Sequence, residues 1–236
     1  MKIVVKKDYE EMSRYAAAKF ISYMVKPGRV NIAPTAGTTP KRMYEIVTEF
    51  LQGQENTLCS DKYYYQQDNL VSTEKPEIPS FFPEIDEMFW GPNNVPEERI
   101  KRLTVGAYPT AHQDIEKDGG LDFVLMGLGG DGHFAANMPG VAFGKQGYLS
   151  KMTEEVKKRI VETLGLADGD AWTCLGAETL MQGKEILMIV TGKGKAEILK
   201  QVVEGPITEA IPSSVLRLHP NFTIVCDEDA ASLLNK

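Results

Sequence analysis

Residues 127–140 read Gly-Leu-Gly-Gly-Asp-Gly-His-Phe-Ala-Ala-Asn-Met-Pro-Gly, directly after the largely apolar run Leu121–Met126. A short apolar run of this kind suits a strand covered on both faces, as in a parallel sheet. The glycine-rich turn that follows leaves room for a ligand to approach the backbone. Asp131 and His133 stand two residues apart at its mouth. A carboxylate beside an imidazole fixes the ring's tautomer and makes an acid/base couple. The plainer reading is a turn whose Asp caps a helix and whose His is merely exposed. The chain has only 3 histidines, and one inside Gly-Gly-Asp-Gly-His favours the chemical reading.

The same rhythm extends to both sides. Strands are expected at Lys2–Lys6, Arg29–Pro34, Lys62–Gln66, Ile186–Val190 and Phe222–Cys226. Helices are expected at Asp8–Met24, Thr39–Leu51, Pro109–Lys117, Met152–Leu164, Lys195–Val203 and Asp229–Leu234. Asp8 and Glu11 have the spacing of a capping box. Strands alternating with helices predict an α/β fold: an open, doubly wound, mostly parallel, Rossmann-like sheet with helices on both faces. Ligands of such sheets bind beyond the carboxyl ends of the strands. One domain over residues 1–236 is expected, with the charged, glycine-containing stretch 141–170 as a lid or rim.

Composition bounds the partners. The 236 residues are 42% hydrophobic and 25% charged, with a net charge of −7. That acidity and the lack of a basic run argue against nucleic acid and anionic membranes. No apolar stretch approaches the ~18 residues of a membrane helix. Cys59, Cys174 and Cys226 are far apart and lack metal-ligand spacing. Reduced thiols in a cytoplasmic protein without a metal are expected.

Three further segments fall at expected strand ends. Thr35-Ala36-Gly37-Thr38-Thr39 lies between a strand and a helix. Its backbone N–H groups and hydroxyls suit a phosphate, and an ordinary helix cap fits the pattern equally well. Asp68 closes the tyrosine-rich third strand, where it is a general base or a turn former. Lys195 follows Thr191-Gly192-Lys193-Gly194, placed either to meet a phosphate or to lie solvated in a helix's first turn. His219 reads as structural.

In this order and spacing, the four segments resemble the glucosamine-6-phosphate deaminase and 6-phosphogluconolactonase superfamily. The likeness covers nearly the whole chain. It is closest to the deaminase motif Gly-x-Gly-x-Asp-Gly-His-x-Ala-x-Asn-Glu-Pro, matched by Gly127, Gly129, Asp131, Gly132, His133, Ala135, Asn137 and Pro139. Ser214–Pro220 and Ile224–Asp227 also look like that branch. The resemblance implies a sugar-phosphate substrate and no organic cofactor or metal. The 35–39 loop and Lys195 would hold the phosphate. Asp68 would move the proton between C2 and C1, and His133, beside Asp131, would open the sugar ring. Gly129, Gly130, Asn137 and Met138 would belong to the substrate loop. A homo-oligomer stays open.

Three positions depart from the deaminase pattern. Met138 stands where the family has the Glu that partners the ring-opening His, and a thioether carries no charge. Asn69 replaces a second acid after Asp68. The phosphate-clamping arginine has no clear counterpart; Lys157, Lys158 and Arg159 are candidates by position. The lactonase branch also has an Asp-Gly-His motif and lacks that Glu, so a lactone hydrolase with His133 as base is the alternative. This chain lacks the lactonase-like Asp-Glu-Arg segment. A non-catalytic sugar-phosphate-binding protein is the third reading.

Overall fold

The computed structural model describes residues 1–52, 61–78, 80, 83–164 and 168–235, with the main chain alone at Arg159, Thr163 and Leu164. Cys59 lies outside the described residues. In chain order the elements are β1 (Lys2–Lys6), α1 (Tyr9–Met24), β2 (Val30–Ala33), α2 (Lys41–Gln52), β3 (Lys62–Tyr65) and β4 (Asp68–Val71). Next come β5 (Ile100–Lys101), α3 (Ala111–Lys117), β6 (Phe123–Met126), β7 (Gly147–Lys151), α4 (Glu154–Leu164) and β8 (Ala171–Leu175). The chain ends through α5 (Ala177–Leu180), β9 (Ile186–Val190), α6 (Ala196–Glu204) and β10 (Phe222–Asp227).

Seven strands form the main sheet in the order β1-β10-β9-β6-β2-β3-β5, and every pair in it is parallel. Strand alternation sends side chains to two separate cores. Phe123 and Leu125 of β6 join Met12, Phe20, Met43 and Val47 from α1 and α2. Val124 and Met126 join Ile198, Leu199 and Val202 of α6 on the other face. Phe20 meets Tyr44, Phe89 and Phe123 edge-on, with ring centroids 5.9, 5.3 and 6.1 Å away. Each such buried side chain contributes on the order of 1.5–3 kcal/mol. The expected cap of α1 is half realised. Asp8 accepts the Glu11 N–H at 2.9 Å, while Glu11 accepts from Lys7, not from Asp8.

Apart from the isolated antiparallel bridges Phe134–Asn137 and Thr208–Ile211, antiparallel pairing among the described residues lies in a second sheet, β4-β8-β7. Pattern reading missed all three strands. The stretch expected as a lid or rim holds β7 and α4, and β7 pairs with β8. Asp68 does not close the third strand, as its position suggested; it opens β4, opposite Cys174. Only Gln66 and Gln67 separate β3 from β4, so the strand expected at Lys62–Gln66 hid the start of a second one. The helix expected at 229–234 is a series of turns. Asp227, the last residue of β10, accepts the Ala230 N–H through its side chain and the Ala231 N–H through its carbonyl, which turns the chain directly after the strand. His219 is structural as expected, buried with Nε2 2.7 Å from the Gly183 carbonyl.

The strand order fixes where a ligand goes. From β2 the chain builds outward to β3 and β5; from β6 it builds the other way to β9 and β10. The order reverses between β2 and β6, which pair through Ile32–Phe123 and Ala33–Val124. The crevice beyond their carboxyl ends is the ligand position of an open α/β sheet.

Candidate active site

A cavity of about 380 Å³ opens at that crevice. Four strand ends supply its walls. The loop after β2 gives Thr35, Ala36, Gly37, Thr38 and Thr39; the loop after β6 gives Gly129, Gly130 and His133. Asp68 enters from the start of β4, and Lys195 from the turn after β9. The segments proposed from sequence therefore converge. Trp172 and Glu84 also line the cavity. Neither was singled out from sequence: Trp172 sits in a short strand of mixed polarity, and Glu84 follows Pro83 with no motif around it.

Gln67 anchors this convergence. Its side-chain N–H₂ donates to the carbonyls of Ala33 (2.9 Å), Pro34 (3.1 Å) and Leu125 (2.6 Å). These carbonyls lie at or beside the ends of β2 and β6, so one side chain ties the two strand ends together. The next residue is thereby fixed at the cavity. Asp68 is half-buried in the cavity wall, and burial, helped by the negative charge of Glu84, pushes its pKa up to about 7.

The His133 imidazole holds Asp131 Oδ1 through Nδ1 at 2.6 Å, and its own backbone N–H donates to the same oxygen at 3.1 Å. With Nδ1 engaged, Nε2 is left for proton transfer. Burial raises the Asp131 pKa, but the His133 backbone N–H, charge and ring together outweigh it and hold the carboxyl below its usual range. Gly129 makes this arrangement possible. A Cβ there would lie 2.2 Å from His133 Nδ1. Ala135, also on the cavity wall, has φ 45°, a left-handed backbone that costs a non-glycine residue energy.

Lys195 donates to the Leu128 carbonyl at 2.7 Å, and burial lowers its pKa against the opposing charge of Asp131. Asn137 is not among the lining residues: it is buried and donates to the Leu175 carbonyl at 3.0 Å. Met138 is 41% exposed and also outside the cavity lining. Asn69 is buried and accepts from the Ser80 hydroxyl at 2.6 Å. Lys157 and Lys158 do not line the cavity either, and Lys158 faces Glu162 on α4. No cluster of metal-ligating side chains occurs among the described residues. No described helix is long and apolar enough to cross a membrane.

A second cavity, about 450 Å³, lies beside β5 and α3. Its charges are engaged locally: Arg102 with Asp86 and Glu97, Lys117 with Asp114, and Asp118 with Arg29 and Tyr65. It offers no acid/base couple comparable to that of the first.

Known proteins share this plan. A monomeric glucosamine-6-phosphate deaminase superposes with a TM-score of 0.85 at 24% identity, covering 99% of this chain and 100% of that one. A 6-phosphogluconolactonase from Trypanosoma brucei reaches 0.72 at 18% identity, covering 99% and 98%. Both establish the fold. In sequence, the chain is 30% identical to a glucosamine-6-phosphate deaminase of Shouchella clausii over 244 residues, 99% of this chain and 97% of that protein. Residues 7–224 match the family described as glucosamine-6-phosphate isomerases/6-phosphogluconolactonase, and the chain belongs to that family of enzymes.

Proposed function

We propose that this protein converts glucosamine 6-phosphate and water into fructose 6-phosphate and ammonia. The observation that carries the reading is the shared cavity of Asp68, His133 and the 35–39 loop at the point where the strand order reverses.

The phosphate docks on the N–H groups and hydroxyls of residues 35–39, at the start of α2, with the Lys195 ammonium opposite. His133, oriented by Asp131, passes a proton to the ring oxygen and opens the sugar. Asp68 then takes the C2 proton and returns it at C1. The C2 carbon becomes an imine, water adds to it, and ammonia leaves. A base with a pKa of about 7 suits this two-way transfer, because it both accepts and returns a proton near neutral pH. Gly129 and Gly130 let the sugar lie against the backbone. Asn137 braces the loop from behind, and Met138 sits at its rim.

We read residues 1–236 as one catalytic unit with the 141–170 stretch forming its rim. A cytoplasmic location is supported by the buried free thiols Cys174 and Cys226. The partner is the sugar phosphate alone; we assign no nucleic acid and leave a homo-oligomer open.

The test is release of fructose 6-phosphate and ammonia from glucosamine 6-phosphate. Wild type turns over, while Asp68→Asn and His133→Ala lose at least ~100-fold. A wild-type rate no higher than that of His133→Ala refutes the deaminase. The lactonase alternative is favoured by Met138, which leaves Asp131 as the described carboxylate bonded to His133. It predicts hydrolysis of 6-phosphogluconolactone above the spontaneous rate.

A further inference from the structure

The phosphate loop already holds an anion belonging to the chain itself. The Gly37 N–H donates to Glu84 Oε2 at 2.9 Å. Glu84 comes from a separate segment, 47 residues further along, in the turn leading into the wide helix Asp86–Trp90. It is partly buried and lines the same cavity as Thr35–Thr39, Asp68 and Lys195. A carboxylate oxygen and a phosphate oxygen carry the same sign of charge and accept from the same donors. Both cannot take one backbone N–H.

We propose that Glu84 is an internal competitor for the phosphate loop and sets the affinity threshold that any phosphate must exceed to occupy it. In the free protein the carboxylate takes the Gly37 N–H, and an incoming phosphate must displace it and tolerate its charge. Inorganic phosphate brings only the loop and Lys195 contacts to this exchange. A phosphorylated sugar adds contacts at Asp68 and His133, which offset the cost of displacement. This rests on the loop's assignment as the phosphate site. The opposite role, in which Glu84 merely orders the loop, predicts the opposite sign when it is removed.

The experiment is calorimetric titration of inorganic phosphate into wild type, Glu84→Gln and Glu84→Ala, with thermal melts to establish that each variant is folded. Glutamine retains an acceptor for the Gly37 N–H without the charge; alanine frees the N–H outright. Relief of one like-charge contact near the surface predicts about ten-fold tighter phosphate binding in both variants. Glucosamine 6-phosphate tightens by a similar factor, because it is relieved of the same displacement. Phosphate affinity equal to or weaker than wild type in both variants overturns the proposal. Because the titration needs no turnover, an inactive wild type would count against the deaminase reading and leave this result standing.

Discussion

Gly129→Ala isolates the position of the imidazole from its chemistry. The added methyl would lie 2.2, 2.3 and 2.5 Å from Nδ1, Cε1 and Cγ of His133. Non-bonded carbon contacts settle at ~3.5 Å, so the ring must retreat by roughly 1.3 Å. Gly129 does not use the left-handed backbone, so alanine fits its main chain and the clash is the whole perturbation. The His133 side chain is 34% exposed, which gives the ring somewhere to go without disturbing either core. A displacement of that size costs about 100-fold in kcat, with little change in Tm. The assay is coupled detection of fructose 6-phosphate for wild type, Gly129→Ala, His133→Ala and the double variant. If the glycine acts only through the ring, the double variant matches His133→Ala. A Gly129→Ala enzyme within about three-fold of wild type, or losses that add, would refute the reasoning.

Other expectations concern charge and packing. Asp68 has a folded pKa raised from an ordinary 3.8 to about 7, so the native state holds a proton that the unfolded state releases. Wild-type stability therefore falls as pH rises from about 4 to about 7 and levels off above. Asp68→Asn removes this dependence and is more stable by ~1–2 kcal/mol at pH 8, measured by urea melts across pH. The acid limb of wild-type kcat/KM lies near pH 7. Phe20→Ala removes the ring shared by Tyr44, Phe89 and Phe123 and costs ~3–5 kcal/mol in chemical denaturation. Met138→Glu restores the acid of the family motif, and deaminase kcat rises by about ten-fold in the coupled assay.

Much of the main sheet was legible because its central strands are buried on both faces: β6 and β9 are short apolar runs followed by glycine. The site segments were legible for the same reason, since each lies just past such a strand. The second sheet was hidden by its mixed composition. In β8, Thr173 and Trp172 interrupt the apolar pattern, and β7 reads Gly-Tyr-Leu-Ser-Lys. Glu84 was invisible because its role depends on a loop 47 residues away. Asn137 belonged to the motif but spends its side chain on a carbonyl behind the loop, a distinction only packing reveals.

Asp68 is the first residue of β4 in the small sheet, paired with Cys174, and lies three residues past Tyr65, the end of β3 in the main sheet. The proposed base thus belongs to the small sheet while the cavity it serves is built at the strand ends of the large one, so it is positioned only while the two are docked. Fraying of the small sheet would disarm the enzyme while the seven parallel strands stayed intact. Catalysis thus reports on the seam between two layers, and activity should fade in denaturant before the bulk of the secondary structure does.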